Sequence, residues 1–496
     1  MCCFPALYNV LAFLDNTTLR TRTARELLSR RILVWSTARS REPVASPGDQ
    51  HRRRSKNKRV TIGHLSRVTL TPYVHRYHLI GVARTCRDVI RTFEGHANGC
   101  LLTTISGVTL CGMTDHQVMA FANGLSAKLA TRSRHVCVFL GAGASCACGL
   151  PDVYGLQVRI LDGLTGQQHT AFERQLSGRN LEHALSRLRR IATLLDKTTD
   201  RVDGLTAQEA TDLDSKVCRL IVEALDSSSA DMKPMLRFAA WVARADYHLP
   251  VELFTVNYDL LQETALESLG VPYFDGFSGA LRARFRTELV EAGVGDTGGC
   301  LPSFLVRLWK LHGSIHWAWD DGHRTEVVRL GVPVTDSEPA AIYPSDAKYD
   351  QSRRVPFLVL QDRFRRALHQ PETLMLISGY SFGDDHLNEM LFEAARRRPR
   401  SELIAFCFGD IPDILIERAS ETPNLQAVGR HEAILGGIRA NWETPKEAPA
   451  DLWGDGGMAL GNFASLADFL ARSSPPQGEL EARLNELLAN MADVGG

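Results

Sequence analysis

The chain has 496 residues, 44% of them apolar and 23% charged, and its 57 basic side chains are balanced by 57 acidic ones. That is ordinary globular composition, long enough for a large core or more than one domain, and it sets aside a wholly disordered chain. The balanced charge gives no reason to expect nucleic acid or an anionic membrane as an obligatory partner. No run approaches the roughly 20 apolar residues of a membrane span.

The first residues lack the basic start and apolar core of a secretory signal, so a cytoplasmic location is expected. The eleven cysteines are irregularly spaced and form no C-x-x-C pair, which suits reduced thiols better than a disulfide framework. Cys146 and Cys148 make only a C-x-C, a weak metal signal.

In chain order, residues 1–112 stand apart. Between Arg20 and Arg67 basic residues dominate, among them Arg52, Arg53, Arg54, Lys56, Lys58 and Arg59, and apolar periodicity is weak. The segment reads as a basic, disordered or wrongly included leader, with Met113 as a natural start; the competing reading is an arm that touches nucleic acid. Thr114 and Asp115 then precede an amphipathic helix with Val118, Phe121, Ala122 and Leu125 on one side.

The apolar run His135–Leu140 predicts a buried parallel strand, followed at once by Gly141-Ala142-Gly143-Ala144-Ser145. Residues 155–245 are helical in pattern and read as an insertion. Strand signals return at 251–256, 307–311, 374–378 and 403–408. Strands separated by long crossovers predict an α/β fold, a Rossmann-like doubly wound parallel sheet spanning 113–445 with that helical subdomain. A tail, 446–496, carries apolar spacing near Leu466–Leu470 and from Leu480 through Leu484 and Leu487.

Four segments carry chemistry. The glycine turn after the first strand lets backbone approach a diphosphate, with a following helix dipole, although Cys146 stands where a G-x-G-x-x-G fingerprint has its third glycine. Asp152, in Gly149-Leu150-Pro151-Asp152, lies near that turn or caps a helix.

Thr255-Val256-Asn257-Tyr258-Asp259 ends a strand: Asn257 offers donor and acceptor to a ribose hydroxyl or water, and Asp259 accepts from a hydroxyl or braces the loop. Lys310-Leu311-His312-Gly313-Ser314 supplies His312, a proton acceptor near neutral pH, with His316 as a competitor. The segment from Gly379 to Asn388 follows another strand and opens a helix, with Ser381 as a contact and Asp384 and Asp385 as caps.

In this order and spacing, GAGAS with GLPD, TVNYD, KLHGS and GYSFGDDHLN resemble the sirtuin family, and within it the bacterial sirtuin-like NAD hydrolases of antiphage defence. The resemblance covers about two thirds of the chain. It implies NAD lying across the carboxyl ends of the strands, with Gly141, Ala142, Gly143 and Ser145 at the diphosphate and inner ribose and Asp152 in a flexible substrate loop. It further implies Asn257 and Asp259 at the nicotinamide ribose, His312 as the catalytic histidine, and Gly379 and Ser381 on the adenosine side.

Deacylating sirtuins carry a zinc ribbon of two C-x-x-C pairs, and their absence here favours NAD hydrolysis without zinc. Asn257 and His312 are the expected catalytic pair. An NAD-dependent deacylase or ADP-ribosyltransferase, and a sensing module that binds NAD or ADP-ribose without turnover, are the alternatives. Gating by a homo-oligomer or a defence partner protein is expected, with the tail helix as an assembly surface.

Overall fold

The computed structural model describes residues 102–105, 108–111, 115–179, 181–292, 305–320, 323–334, 355–473 and 478–494, all within the unit His96–Gly496. The basic run, Met113 and Thr114 lie outside the described residues.

An antiparallel pair, β1 (Leu102–Ile105) and β2 (Val108–Cys111), is followed by β3 (His116–Gln117), α1 (Val118–Leu129), β4 (His135–Leu140) and the short α2 (Ala142–Cys146). Then come α3 (Val153–Gly163), α4 (Gly166–Leu176), α5 (Leu181–Leu194), α6 (Ala207–Ala224) and α7 (Lys233–Arg244). The middle of the chain runs β5 (Glu252–Thr255), α8 (Leu261–Ser268), β6 (Tyr273–Phe274), β7 (Phe277–Ser278), β8 (Arg282–Phe285), α9 (Thr287–Glu291), β9 (Val306–Lys310), β10 (Trp317–Asp320) and β11 (His323–Leu330).

Next are α10 (Phe357–Leu368), β12 (Thr373–Ser378), α11 (Asp385–Arg397), β13 (Glu402–Phe406), α12 (Asp413–Glu421) and β14 (Leu425–Val428). The chain closes with β15 (Glu432–Leu435), β16 (Ile438–Glu443), β17 (Trp453–Gly454), β18 (Gly457–Met458), α13 (Phe463–Arg472) and α14 (Gly478–Val494).

All six residues of β4 are buried, because both faces of the sheet are covered. Val136, Val138 and Leu140 join the apolar layer under α1, α7, α8 and α13, while Cys137 and Phe139 face the layer under α10, α11 and α12. The period of two along the strand thus divides its side chains between two cores.

The sheet has ten strands in the order β3-β16-β15-β14-β13-β12-β4-β5-β9-β6. From β9 to β14 the neighbours are parallel. Numbered by chain position, β9-β5-β4-β12-β13-β14 reads 3-2-1-4-5-6, the doubly wound Rossmann order, whose direction of winding reverses between β4 and β12. At such a switch point an open α/β sheet gathers its functional groups outside the carboxyl ends of the strands.

The helical stretch expected at 155–245 divides between two cores. Helices α3 to α6 pack Leu156, Ile160, Phe172, Leu185, Leu188 and Ile221 into a core of their own, whereas α7 packs into the main core with Phe238 and Trp241. Helix α6 starts with a full capping box: Thr206 Oγ1 accepts from Glu209 N (3.2 Å) and Glu209 Oε2 accepts from Thr206 N (2.9 Å). A second, four-stranded sheet, β10-β11-β8-β7, is built from segments between β6 and β12.

The residue preceding α1 is Gln117, with no side-chain cap bond, and His116–Gln117 pairs with β16, so α1 starts directly from an edge strand. The apolar row of α14 packs within the chain: Leu484 is buried, and Leu480 and Leu487 pack against the main core. No described helix is long and apolar enough to cross a membrane.

Candidate active site

The carboxyl ends of β4, β5, β9 and β12 bring the four motifs to one edge of the sheet. The glycine turn forms the first turn of α2. Its Gly141 N–H donates to Ser378 O (3.0 Å) and its Gly143 N–H to Gly379 O (2.9 Å), so two of its amides are committed inside the protein.

The glycines are required by that same contact. A Cβ on Gly141 would lie 2.4 Å from Gly379 O, and one on Gly143 would lie 2.7 Å from Gly379 Cα. Gly379 itself has φ +67° and a Cβ there would sit 2.4 Å from Ala144 N. The three glycines therefore let the turn after β4 and the turn after β12 meet backbone to backbone across the switch point. Of the turn's side, Ala142 and Gly143 remain partly accessible, while Gly141 and Ser145 are buried.

Asn257 is only 7% exposed. Its Nδ2 donates to Gly141 O (2.9 Å) and to Ser145 Oγ (2.8 Å); a carbonyl can only accept, which fixes the amide orientation. Its backbone N–H donates to Thr255 Oγ1 (3.0 Å). The donor half of the Asn257 amide is spent on the glycine turn, and its Oδ1 is left as the group able to receive a ribose hydroxyl or a water.

Asp259 is a brace. Its Oδ2 accepts from Ser145 Oγ (2.6 Å) and its Oδ1 from Leu261 N (3.1 Å), tying the loop to α2 and α8. Lys310 supports the loop from below: its Nζ donates to Asp259 O and to Glu263 Oε1 (2.9 Å for the latter). Burial pushes the Glu263 carboxyl above its usual range, against the pull of the Lys310 ammonium.

The turn after β9 holds Gly313 at φ +91° and places His312 beside Tyr258, ring centroids 6.4 Å apart. Ser314 Oγ donates to Tyr258 O at 3.2 Å, and Ile315 N donates to the same carbonyl at 3.0 Å, so the TVNYD and KLHGS loops are interlocked. His312 is 14% exposed, and its Nε2 lies 3.5 Å from Asp384 Oδ2.

His316 is sealed beneath, with Nδ1 2.7 Å from Ser314 Oγ. Burial, then Lys310 and Arg329, hold its imidazole well below the ordinary histidine range. Access separates the two histidines.

Asp152 caps α3, accepting from Gly155 N at 2.7 Å. Ser381 is exposed. In the adjoining loop Phe382 adopts φ +57°, its ring lying between Tyr380 (4.9 Å) and Phe392 (6.3 Å) and its carbonyl accepting from Asn388 Nδ2 (2.7 Å).

The nearby cysteines are poor nucleophiles. Burial, then Asp152 and Asp259, raise the Cys146 thiol, and burial pushes Cys148 up to about 12. Among the described residues no three metal-ligating side chains come together.

Residues whose roles the sequence reading did not assign are Lys310 and Tyr258, which build the loop interlock, and Asp384, which reaches His312 as well as capping. Their types were visible in the motifs, but contacts between loops from non-adjacent strands leave no periodic signal.

Fold and site together define a Rossmann-type α/β protein with its polar groups gathered at the switch point, where such sheets take nucleotides. Residues 251–428 match the family model of a SIR2-like domain, a kind of domain that uses NAD. The match runs from β5 to β14 and leaves out β4 and the glycine turn, which parallel pairing of β4 with β5 and β12 returns to the matched part. No curated protein matches the chain.

Proposed function

We propose that the chain is an NAD hydrolase that cleaves the bond between nicotinamide and ribose, releasing nicotinamide and ADP-ribose. The observation that carries this reading is the half-committed amide of Asn257: fixed through Nδ2 to the glycine turn, it keeps its acceptor Oδ1 for a ligand, one interlocked loop away from His312.

Cleavage builds positive charge on the ribose as nicotinamide leaves, so the site must orient the ribose and one water and hold acidic groups nearby. In this mechanism Asn257 Oδ1 accepts from the attacking water or a ribose hydroxyl, and His312 takes the water proton. The water oxygen bonds to the ribose carbon as the carbon–nitrogen bond breaks, and nicotinamide departs with that electron pair. Asp152, Ser381 and the accessible side of Ala142 and Gly143 are proposed to line the remainder of the dinucleotide, with Asp259 acting through Ser145 and the loop. Depletion of NAD in defence against phage is the role proposed from the resemblance to antiphage NAD hydrolases.

The test is incubation of the purified chain with NAD and no acylated peptide, beside Asn257→Ala and His312→Ala, following nicotinamide and ADP-ribose by chromatography. Release by the parent and its loss in both variants is the expected result. Release that begins only when an acyl-lysine peptide is added replaces hydrolysis by deacylation, and NAD binding without turnover in either condition makes the chain a binding module.

A further inference from the structure

We infer that Asp384 is a positioning residue for His312, a role that rests on the proposed hydrolysis and goes beyond the cap its sequence position suggests. The two side chains belong to loops leaving β9 and β12, with β5 and β4 between those strands in the sheet. They meet with His312 Nε2 3.5 Å from Asp384 Oδ2, the side chains being 14% and 13% exposed.

The carboxylate is held from its other side. Asp384 Oδ1 accepts from His386 N (3.0 Å) and Leu387 N (3.3 Å), at the positive end of α11. Its backbone carbonyl accepts from Asn388 N (2.9 Å), and the Tyr380 hydroxyl lies 3.2 Å from that carbonyl and 2.9 Å from Asn388 Oδ1. Oδ1 serves the helix and Oδ2 serves the histidine, and the Tyr380–Asn388 contact keeps the loop from turning the carboxylate away.

A separation of 3.5 Å is an ion-pair distance, looser than a hydrogen bond, and it tightens once the imidazole is charged. When His312 takes the proton of the attacking water, the fixed carboxylate stabilises the imidazolium and favours the tautomer with hydrogen on Nε2, leaving Nδ1 as the accepting nitrogen. Asp384 touches neither water nor NAD in this scheme.

The cap and the pairing are separable, because Asn caps a helix about as well as Asp but carries no charge. The experiment measures NAD cleavage and thermal melting for the full chain and for Asp384→Asn, Asp384→Ala, His312→Ala and the double variant His312→Ala with Asp384→Asn. Asp384→Asn is expected to keep the parent melting temperature and KM while kcat falls on the order of 10²-fold. In the double variant Asp384→Asn is expected to add nothing to the loss from His312→Ala.

Parent-like kcat in Asp384→Asn, with a defect in Asp384→Ala accompanied by lower melting, leaves only the cap and overturns the inference. Equal, additive losses from His312 and Asp384 overturn it as well. Unchanged cleavage in His312→Ala sinks the hydrolysis reading itself, an outcome distinct from either.

Discussion

The same strands carry polar clusters at both ends, and the two ends behave differently. At the amino ends, Glu252 is 0% exposed and is enclosed by His135 Nε2 (2.9 Å), Trp309 Nε1 (2.7 Å) and Arg363 Nε (2.7 Å), with Arg307 as its register partner on β9. Every oxygen of that carboxylate is taken and α10 covers it. At the carboxyl ends, Asn257 keeps Oδ1 free and His312 is partly open. Burial of charge does not by itself mark a reactive site; leftover bonding capacity with a route to solvent does.

The largest expected effect breaks the comparison at the proposed reactive end, the carboxyl ends of the strands. His312→Ala should lower NAD cleavage by about 10²- to 10⁴-fold while shifting unfolding free energy by less than about 1 kcal/mol, since the side chain is partly exposed and loosely paired. Loss of activity with an equal collapse in stability would make His312 a structural residue.

The counterpart at the sealed end is Glu252→Gln, which leaves the Arg363 and Arg307 guanidiniums without a buried carboxylate. It should cost about 3 to 5 kcal/mol of stability, read by denaturant unfolding, with unchanged cleavage per folded molecule.

The same variant tests the pH dependence. Burial alone would raise the Glu252 carboxyl, but the Arg363 guanidinium and His135 outweigh it, and its folded value is held well below the usual range. A depressed folded value means stability that is complete above the unfolded carboxyl value of about 4.3 and is lost as pH falls toward the folded value. The stability gap between parent and Glu252→Gln should therefore narrow on acidification below that pH, and a gap constant from neutral to acid would contradict the assignment.

Gly379→Ala sharpens the contrast because it should damage both properties together. Left-handed strain and a Cβ 2.4 Å from Ala144 N give an expected cost of about 2 to 4 kcal/mol, and displacement of the glycine turn pulls on Gly141 O, the acceptor that orients Asn257. Gly124→Ala, inside α1 with nothing within 4 Å, is the control and should stabilise by up to about 1 kcal/mol. Parent-like cleavage and melting in Gly379→Ala would mean the two turns are not locked.

Much of the sheet was legible because its strands are buried on both faces and read as unbroken apolar runs. His135–Leu140 is found at the expected bounds, and the later strands differ by one or two residues at their ends. The second sheet was not legible: in Arg282–Phe285 exposed arginines alternate with partly or fully buried neighbours, and β7 is only two residues long. At the candidate site, motif order pointed to Asn257 and His312, which the structure places on interlocked loops, but the reason for the glycines was not legible. They read as a cradle for a diphosphate, whereas the contact that demands them is Gly379, more than two hundred residues away in the chain. For the same reason Asp384 reads as a cap until the loops are placed.

The smallest expected effect concerns Asp152, which belongs to neither end of the comparison and decides how far the reactive end extends. As a cap on α3 it is worth about 1 kcal/mol, so Asp152→Ala should lower stability by that amount and Asp152→Asn should not. A carboxylate that acts only through the helix start leaves cleavage in Asp152→Asn at the parent rate. If Asp152→Asn keeps parent melting but raises KM for NAD, the charge itself faces the dinucleotide and the reactive end reaches from His312 to the first turn of the helical insertion. Parent-like KM and kcat would confine it to the loops after β4, β5, β9 and β12.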